Sequence, residues 1–451
     1  MTTTADRPAA PDLILPDHPE YDEARSSWNL AVDLQPAAVV VARSAEDVVG
    51  AVALAAERGL RIAPQTTGHL AAPLPDLSDA LLIRTLIGGV EVDTAGRRAR
   101  IGAGAIWREV IDAVAPHGLA VLSGSTHDVG VVGYLLGGGL SWLARAKGLG
   151  SNHVLAIEVV TADGRLVRCD AETEPELFWA LRGGAGNFGV VTAIEIELFD
   201  IGEVFAGMTI WPASDARAVL EAWTAWCATA PESVTTAFRF LRLPPLPEIP
   251  EPLRDTPLVV LDGAALDDPE EAQALLAPVR GVGTPMMDTW APMPPAGLVE
   301  IHMDPPQPVP GIGDGILLEE LDAAGVEALL TVGRPEEVSP LLMVELRQIG
   351  GAVARAPEGA GARSTLEGAF QLFGVGVPMG PEDGERIHAR LQELLGALAP
   401  WATGTLYVNF AEGERSAERC FPPATYERLR DARAAWDPQE RLIASHRIEP
   451  R

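Results

Sequence analysis

The sequence predicts an α+β protein with more than one domain. Residues 36–63 alternate between strand and helix patterns in a β-α-β order, which suits a small mixed sheet. Between residues 201 and 400, amphipathic helix patterns alternate with apolar strand patterns, as expected for an antiparallel sheet backed by helices. A chain of 451 residues that is 47% hydrophobic is long enough for two or three domains and a large core.

The first elements have clear boundaries. The run of valines in residues 36–42 is typical of a buried strand. Ser44 and Asp47 have the spacing of a capping box, which predicts that a helix begins here, and Gly59 predicts its end. Residues 60–63 then form a second strand pattern.

The later elements follow from the same two periodicities of hydrophobic residues. Strands are expected within residues 84–101, 188–199, 235–243, 257–262, 341–351, 368–375 and 404–410, with a hairpin at residues 154–169. Helices are expected at residues 107–115, 174–182, 213–230, 269–279, 381–398 and 423–435.

A glycine-rich stretch at residues 124–139 is the most unusual part of the chain. Six of its sixteen residues are glycine, and the valine and leucine residues between them keep it apolar. Glycine allows positive φ and lets the backbone approach another group closely. Two interpretations are open: the stretch approaches a flat or charged ligand, or it makes a tight strand-to-helix turn in an ordinary core.

Composition excludes several classes of function. The formal net charge of −29 opposes binding to nucleic acid and to anionic membranes. No apolar run reaches the roughly 20 residues that a membrane-spanning helix needs. The first residues show no secretory signal, so we expect a cytoplasmic protein. The three cysteines are widely spaced, which argues against a disulfide framework and a cysteine-based metal site.

Several motifs stand at characteristic separations around the glycine-rich stretch. They are residues 64–69, 177–192, 407–410 and 436–438. In order and spacing they resemble the FAD-linked oxidases of the berberine bridge enzyme type, within the vanillyl-alcohol oxidase superfamily, with the bacterial enterocin-pathway flavoenzymes nearest. The resemblance is dense in the first 200 and last 50 residues and thin between them.

The resemblance implies a two-part FAD-binding domain of the PCMH type. Its parts would be residues 1–200 and residues 401–451, the second returning to pack on the first. Residues 201–400 would form an α+β substrate domain, with an antiparallel sheet backed by helices. The resemblance implies no metal, and it leaves the oligomeric state open.

The resemblance also implies which residues contact FAD. His69 falls where the family joins a histidine covalently to the flavin. Thr126 stands where many relatives carry a second, cysteine tether, so attachment would be through His69 alone. Val129 occupies the position of an oxygen gatekeeper, and its small side chain implies access of O2. The full set expected at the cofactor is Gln65, Thr66, Thr67, Gly68, His69, Leu70, Gly124, Ser125, Thr126, Val129, Gly130, Gly133, Gly137, Gly138, Asn152, Val154, Gly189, Val190, Val191 and Asn409.

The base that accepts the substrate's proton needs a separate argument, because Phe410 replaces the tyrosine that serves many relatives. Asn409 matches a residue near the flavin, and Tyr407 is expected on the strand face opposite to Phe410. Glu345 lies in an apolar strand and shares a face with Arg347. Two interpretations are open for Glu345: it is the base, or it forms a structural ion pair with Arg347.

Other residues are weaker candidates for the substrate site. Phe240 aligns loosely with an active-site tyrosine of the enterocin-pathway enzyme. Glu367 and Gln371 lie along the following strand, and His127 lies close to the expected flavin loop.

The function predicted by these residues is that of an FAD-dependent oxidase. It would take a hydride from a small organic substrate to flavin N5 and reduce O2 to H2O2. The first alternative is a flavin-dependent monooxygenase or oxidative cyclase of secondary metabolism. The second is a flavin-binding protein that has lost turnover, which Phe410 and the altered residues 65–67 favour. The substrate depends on the poorly matching middle domain and cannot be read from the sequence.

Overall fold

The computed structural model describes residues 12–247, 249–333, 339–380, 382–413 and 416–451. The strands are β1 Leu13–Ile14, β2 Ala38–Ala42, β3 Arg61–Gln65, β4 Ala80–Thr85, β5 Val90–Asp93, β6 Arg98–Gly102, β7 Leu119–Ala120, β8 Val154–Val160, β9 Leu166–Asp170, β10 Val190–Glu197, β11 Phe199–Asp200, β12 Val204–Pro212, β13 Val234–Arg242, β14 Pro257–Ala265, β15 Met287–Asp288, β16 Ala291–Met293, β17 Ile312–Leu318, β18 Met343–Gln348 and β19 Phe370–Gly376.

The helices connect and cover these strands. They are α1 Tyr21–Arg25, α2 Ala45–Arg58, α3 Trp107–Val114, α4 Val131–Leu136, α5 Ala144–Lys147, α6 Pro175–Leu181, α7 Ala216–Cys227, α8 Pro269–Arg280, α9 Ala323–Gly333, α10 Asp383–Leu398 and α11 Pro423–Trp436. Pro381, the expected start of the tenth helix, lies outside the described residues. Within the described part of the chain, none of the helices has the length and apolar character needed to cross a bilayer.

Two large sheets are built from the first 200 residues, in addition to a two-stranded pair of β7 and β11. One has the strand order β1-β2-β4-β3, in which β4 pairs in parallel with both β2 and β3. The other has the order β5-β6-β10-β8-β9 and is antiparallel. Helix α2 packs between them, because its buried residues share one core with Val160 of β8 and Val190 of β10. The β-α-β prediction for residues 36–63 is therefore confirmed.

The third sheet lies entirely between Val204 and Gly376 and has the order β15-β12-β14-β13-β18-β19-β17. All its neighbouring strands are antiparallel. With the first two sheets and the covering helices, it confirms the α+β fold class. The separation of strands into these groups supports the domain boundaries expected near residues 200 and 400, which remain a prediction.

The two faces of this third sheet differ in chemistry. One face is apolar: Phe238, Phe240 and Leu346 pack with residues of helices α7, α9 and α10. The other face carries charged residues in the middle strands, among them Arg239 and Glu345, which are cross-strand partners. Because side chains alternate along a strand, each middle strand has one apolar row and one polar row.

The segment at residues 404–410 is not a strand, contrary to the sequence-based expectation. Val408–Phe410 form a single 3-10 turn, and the nearest ladder contact is an isolated bridge between Leu318 and Ala402. The turn brings the rings of Tyr407 and Phe410 together, with centroids 5.6 Å apart, so they do not lie on opposite faces. The backbone bonds locally: the Phe410 N–H donates to the Tyr407 carbonyl at 2.9 Å instead of to a neighbouring strand. The Asn409 side chain holds this turn against helix α4, because its Nδ2 donates to the Tyr134 carbonyl at 3.0 Å.

The capping box of helix α2 offers a direct test of the local structure. The Ser44 hydroxyl accepts from the Asp47 N–H at 3.1 Å, and the Asp47 carboxylate accepts from the Ser44 N–H at 3.0 Å. We expect Ser44→Ala to lower the free energy of unfolding by about 1 kcal/mol, because it leaves a helix N–H without its acceptor. Chemical denaturation measures the change. Ser44→Thr keeps the hydroxyl, and an equal loss in that control would contradict a capping role.

Candidate active site

Two loops meet at the carboxyl end of strand β3. Residues 66–70 follow β3, and residues 124–130 run alongside residues 105–108, from which they accept backbone hydrogen bonds. A Cβ on Gly130 would lie 3.1 Å from the Thr66 side chain, so the loops are in van der Waals contact. Within the described residues, the N–H groups of residues 67–70 and 124–130 have no backbone acceptor. N–H groups without backbone acceptors in two adjoining loops are suited to an anion such as a pyrophosphate.

His69 lies at the centre of this junction. Its ring stacks on Trp28 with centroids 4.2 Å apart, and its Nδ1 is 2.8 Å from the Thr67 hydroxyl. Its Nε2 is buried, lies 3.4 Å from Oδ1 of Asp128 and makes no hydrogen bond within the described residues. The imidazole is therefore held on one face and at one nitrogen, while the other nitrogen is left beside a carboxylate.

Asp128 is itself fixed by two donors. The Trp28 Nε1–H donates to its Oδ2 at 2.5 Å, and the Thr126 hydroxyl donates to its Oδ1 at 3.0 Å. Burial raises the pKa of Asp128, but His69 and these two donors outweigh burial and bring the pKa below its usual value. Asp128 is thus a carboxylate poised against His69, and the sequence analysis did not select it.

The other residues expected in the first loop have mixed roles. The Thr66 hydroxyl is engaged by the Thr85 hydroxyl at 2.8 Å and the Ala103 carbonyl at 2.9 Å, so it serves the fold. The Gln65 Nε2 donates to Ser26, whereas its buried Oε1 has no partner within the described residues. Leu70 is half-buried against the main core of the first 200 residues.

Packing against protein explains several glycines of the 124–139 stretch. A Cβ on Gly137 would lie 1.7 Å from Oδ1 of Asn409, and one on Gly139 would lie 2.6 Å from the Tyr134 ring. Gly138 has φ +125° and faces Arg363 and Tyr407. These three glycines let the C-terminal segment and Tyr134 pack closely against the stretch. For residues 137–139, this supports the interpretation that the glycines make a tight turn in an ordinary core. Around Gly133 there is open space, with nothing within 4 Å of a built Cβ.

Asn409 therefore joins two segments. Its Nδ2 donates both to the Tyr134 carbonyl and to the Tyr407 hydroxyl, at 3.0 and 3.1 Å. Both amide hydrogens are used within the protein, so Asn409 acts here as a positioning residue that holds the turn at Phe410. Whether it contacts the flavin remains a prediction.

The remaining expected cofactor residues lie behind the loops. Asn152 donates to the Ser364 carbonyl, and its buried Oδ1 has no partner within the described residues. Gly189 has φ +154°, and a Cβ there would lie 2.4 Å from Val159, so its packing in the sheet requires glycine. The side chains of three expected contacts, Val154, Val190 and Val191, are buried in hydrophobic cores. Val190 and Val191 can therefore contact a cofactor only through their backbone atoms. They precede Ala193, the residue at which the pairing of β10 with β6 begins.

A cluster of buried charges lies on the polar face of the third sheet. Arg239 is 2.5 Å from Asp262, and both side chains are almost completely buried. His302 Nδ1 is 2.7 Å from Asp304, and its Nε2 is 3.7 Å from Glu345. Asp304 accepts at 3.1 Å from the Ser125 hydroxyl, which connects the cluster to the glycine-rich stretch.

Glu345 is held by two cations. Its Oε1 accepts from Arg347 Nε at 2.7 Å, as the ion-pair interpretation expected. Burial raises the pKa of Glu345, but Arg347 and His302 outweigh burial and lower it to about 2. A raised pKa is thus absent, and the carboxylate stays ionised at ordinary pH. For His302, burial and Arg239 lower the pKa, but Asp304 and Glu345 outweigh them and raise it to about 9.

The cluster faces aromatic side chains from both parts of the chain. The Arg347 guanidinium lies 4.9 Å from the Trp142 ring and 5.7 Å from the Phe410 ring. Phe373, the cross-strand partner of Glu345, contacts Phe410 edge to face at 5.1 Å. The region between the third sheet and the glycine-rich stretch is the candidate substrate site.

Three weaker sequence candidates are placed differently. Phe240 lies on the helix-covered face with 1% of its surface exposed, so it is outside the substrate site. Glu367 is exposed and accepts from the Thr405 hydroxyl at 3.3 Å. Gln371 lies on the polar face as the cross-strand partner of Arg347, and its Oε1 is buried without a partner in the described residues.

The pKa of His302 predicts how stability depends on pH. Its folded pKa of about 9 lies above the unfolded value of about 6.5, so its stabilising effect is complete below about pH 6.5 and is lost as pH rises through 9. The groups that face it are Asp304, Glu345 and Arg239. We expect the melting temperature to fall across this window and His302→Asn to flatten that slope. An unchanged slope in the variant would contradict the assignment.

Comparison with known proteins identifies an FAD binding domain in this chain. Residues 36–170 match the model of the FAD binding domain. Over 205 residues, 45% of this chain, the sequence is 34% identical to (R)-6-hydroxynicotine oxidase of Paenarthrobacter nicotinovorans. Over 208 residues it is 32% identical to FAD-dependent monooxygenase prx3 of Penicillium roqueforti. These alignments span 45% and 40% of the lengths of those relatives, so less than half of each is matched.

Solved structures show the same fold over the whole chain. 6-Hydroxy-D-nicotine oxidase of Arthrobacter nicotinovorans superimposes with a TM-score of 0.85 at 24% identity, covering 100% of both chains. BBE-like 1 of Physcomitrella patens superimposes with a TM-score of 0.84 at 19% identity, covering 98% of this chain and 97% of that chain. Residues 36–170 match an FAD binding domain, and the whole chain has the fold of these two solved structures. Both findings agree with the resemblance of the sequence motifs to the berberine bridge enzyme type.

The residues present fit an FAD. The free N–H groups of the two loops suit its pyrophosphate. Two buried polar atoms without partners lie in or beside the first loop, Gln65 Oε1 and His69 Nε2, and a third, Asn152 Oδ1, lies behind the loops. Unpaired polar atoms are costly to bury, so these three can be satisfied by a polar cofactor.

Proposed function

We propose that the protein is an FAD-dependent oxidase acting on a small organic molecule and passing electrons to O2. The observation that carries the proposal is that two sites adjoin. One is the loop junction, with its free N–H groups and His69, and the other is the cluster of buried charges on the third sheet. When bound, FAD supplies a hydride acceptor at N5 and a route for electrons to a second acceptor. Val129 is half-buried beside this junction, and its small side chain supports access of O2.

His69 is the proposed point of covalent attachment. Thr67 and Trp28 orient the ring, and Asp128 lies beside it to balance the positive charge that the imidazole would carry when one of its nitrogens forms a bond to carbon. Thr126 has a hydroxyl that donates to Asp128, and it offers no sulfur for a second tether.

This arrangement predicts a role for Asp128 in attachment. We expect Asp128→Asn to slow covalent incorporation of FAD by roughly a hundredfold, because a neutral amide cannot balance charge on the imidazole. The rate is measured as flavin fluorescence that stays with the denatured protein at intervals after FAD is added to apoprotein. Thr126→Val, which removes only one hydrogen bond to Asp128, serves as the control and should slow incorporation far less. Equal rates in wild type and Asp128→Asn would exclude this role.

The proton of the substrate is proposed to go to the Glu345–His302 pair. Phe410 has no group that can accept it, and these two side chains lie 3.7 Å apart on the polar sheet face. With a pKa of about 2, Glu345 alone is a weak base, whereas His302 becomes neutral near pH 9. Turnover limited by this pair should therefore increase as pH rises toward 9.

A substrate screen under anaerobic conditions tests the proposal. An oxidase should show loss of flavin absorbance with its substrate and recovery, with H2O2, when air is admitted. Glu345→Gln should lower turnover without lowering flavin content. If no organic alcohol or amine bleaches the flavin while FAD is fully bound, the protein is a flavin-binding protein without this activity.

A monooxygenase is the second candidate function, because one of the relatives, matched over 45% of this chain, carries that name. The products separate the two functions. An oxidase releases one H2O2 for each substrate oxidised, whereas a monooxygenase leaves an oxygen atom from O2 in the product, which isotope labelling detects by mass spectrometry.

A further inference from the structure

The guanidinium of Arg347 has a free end. Its Nε is bonded to Glu345 at 2.7 Å, but its two Nη atoms have no acceptor within the described residues. Arg347 is only 4% exposed, and its Nη atoms are not among the fully buried atoms without a partner, so the little solvent contact of this side chain reaches these donors. Two unpaired donors of a charged group at the end of an otherwise buried side chain point to a ligand that accepts from them.

The nearby carboxylates are already engaged. Glu345 is shared between Arg347 and His302, and Asp304 is bonded to His302. Asp262 is bonded to Arg239. None of these protein acids accepts from the Nη atoms, so both Nη atoms are available to a ligand.

The surroundings of Arg347 indicate the shape of that ligand. The Trp142 and Phe410 rings lie against the guanidinium at 4.9 and 5.7 Å and hold its plane in place. Phe373 adds a third ring beside Phe410. The two Nη atoms of a fixed guanidinium match the two oxygens of a carboxylate, and the rings provide an apolar wall for the rest of the molecule.

We propose that Arg347 anchors the carboxylate of the substrate, so that the substrate class is an organic acid with an apolar, preferably aromatic, body. This inference rests on the proposed function, because it places the substrate against the expected flavin site. Recognition by the two Nη groups of one guanidinium also explains how a chain with net charge −29 binds an anion. The attraction acts over a short distance, and the site has little contact with solvent.

Binding of unreactive probes to the FAD-loaded protein tests this. Benzoate should perturb the flavin absorbance spectrum with saturation, and benzamide and benzylamine, of similar shape but neutral and cationic, should bind at least about tenfold more weakly. Phenyl phosphate tests whether another anion fits the same fork. If benzamide or phenyl phosphate binds as well as benzoate, the carboxylate assignment is wrong.

Variants locate the effect at Arg347. Arg347→Gln should weaken benzoate binding by roughly tenfold or more. Arg347→Lys keeps the positive charge but lacks the two parallel N–H donors, so its benzoate affinity should lie between those of Arg347→Gln and the wild type. Arg355→Gln removes an exposed positive charge that pairs with Glu232, and it should leave benzoate affinity unchanged. If Arg347→Gln alters the flavin spectrum but not benzoate affinity, Arg347 faces the cofactor and the inference is overturned.

Failure of the inference differs from failure of the proposed function. A protein that binds no FAD contradicts the proposed function. A protein that is loaded with FAD but shows no preference for benzoate contradicts only the substrate class. FAD content and melting temperature are recorded for each variant, and the comparison of probes in the wild-type protein decides the question even if Arg347→Gln does not fold.

Discussion

His69→Ala should leave the protein without covalently bound flavin. In the wild type, we expect yellow flavin to stay with the protein after acid precipitation, and in the variant we expect nearly all of it in the supernatant. The reason is that His69 is the histidine at the cofactor junction, with its ring stacked on Trp28 and flanked by Thr67 and Asp128. The facing Thr126 has no thiol with which to form a second bond to the flavin.

His127→Ala is the matched control for this experiment. His127 lies in the facing loop, two residues from Ser125, and contributes a backbone carbonyl that accepts from Arg108 at 2.8 Å. Removal of its imidazole should leave the covalent fraction unchanged. If flavin remains attached in His69→Ala, the tether lies at another residue and the account of the junction is wrong.

Arg239→Met should cause the largest loss of stability among single substitutions in the third sheet. Arg239 and Asp262 are 2% and 0% exposed and lie 2.5 Å apart, so the variant leaves a buried carboxylate without its cation. Removal of one partner of a buried ion pair costs about 3–5 kcal/mol. Denaturation by urea measures this, and the free energy of unfolding should fall by that amount near neutral pH.

The loss should depend on pH in a defined direction. Burial raises the pKa of Asp262, and Arg239 is the main group opposing that rise, so the pKa will be higher still in the variant. A group whose folded pKa is raised stabilises at low pH and loses that contribution as pH rises. The variant should therefore be closest to wild type near about pH 4, the ordinary range of an aspartate.

Two further variants control for the loss of the arginine itself. Arg239→Met combined with Asp262→Leu removes both charges and should recover most of the stability. Arg242→Met, three residues along the same strand, breaks an ion pair with Asp255, whose side chain is 63% exposed, and should cost at most about 1 kcal/mol. Equal losses in Arg239→Met and Arg242→Met would contradict the importance of burial.

The sequence predicted elements best where local signals set their limits. The capping box at Ser44, the hairpin of β8 and β9, and the strands β13, β14, β18 and β19 were all expected within a few residues of their positions. Strand β12 was missed because nearly all its residues are buried on both faces, which removes the alternating pattern. Helix α9 was missed for a similar reason, since it is apolar around most of its circumference.

The cofactor side of the site was more predictable than the substrate side. Residues 64–69 and 124–130 are contiguous motifs, so the sequence could place His69 directly. The charge cluster is assembled from separate strands and from the loop at residues 301–304, and it depends on register that no single segment encodes. Single charges within apolar strands, such as Asp262 in residues 257–265, were the available signal.

The segment at residues 404–410 shows the limit of periodicity. Its alternating pattern resembles a strand, yet Asn409 bonds to helix α4 and Gly137 gives it room to do so. Such a contact between residues more than 270 positions apart cannot be inferred from local sequence.

The visible spectrum of the purified protein tests the central claim most directly. If the junction of residues 66–70 and 124–130 holds FAD, the protein is yellow, with flavin absorbance bands and close to one flavin for each chain. A colourless protein that stays colourless after incubation with FAD would contradict the account, because the free N–H groups and the unpaired Nε2 of His69 would then have no cofactor to bind.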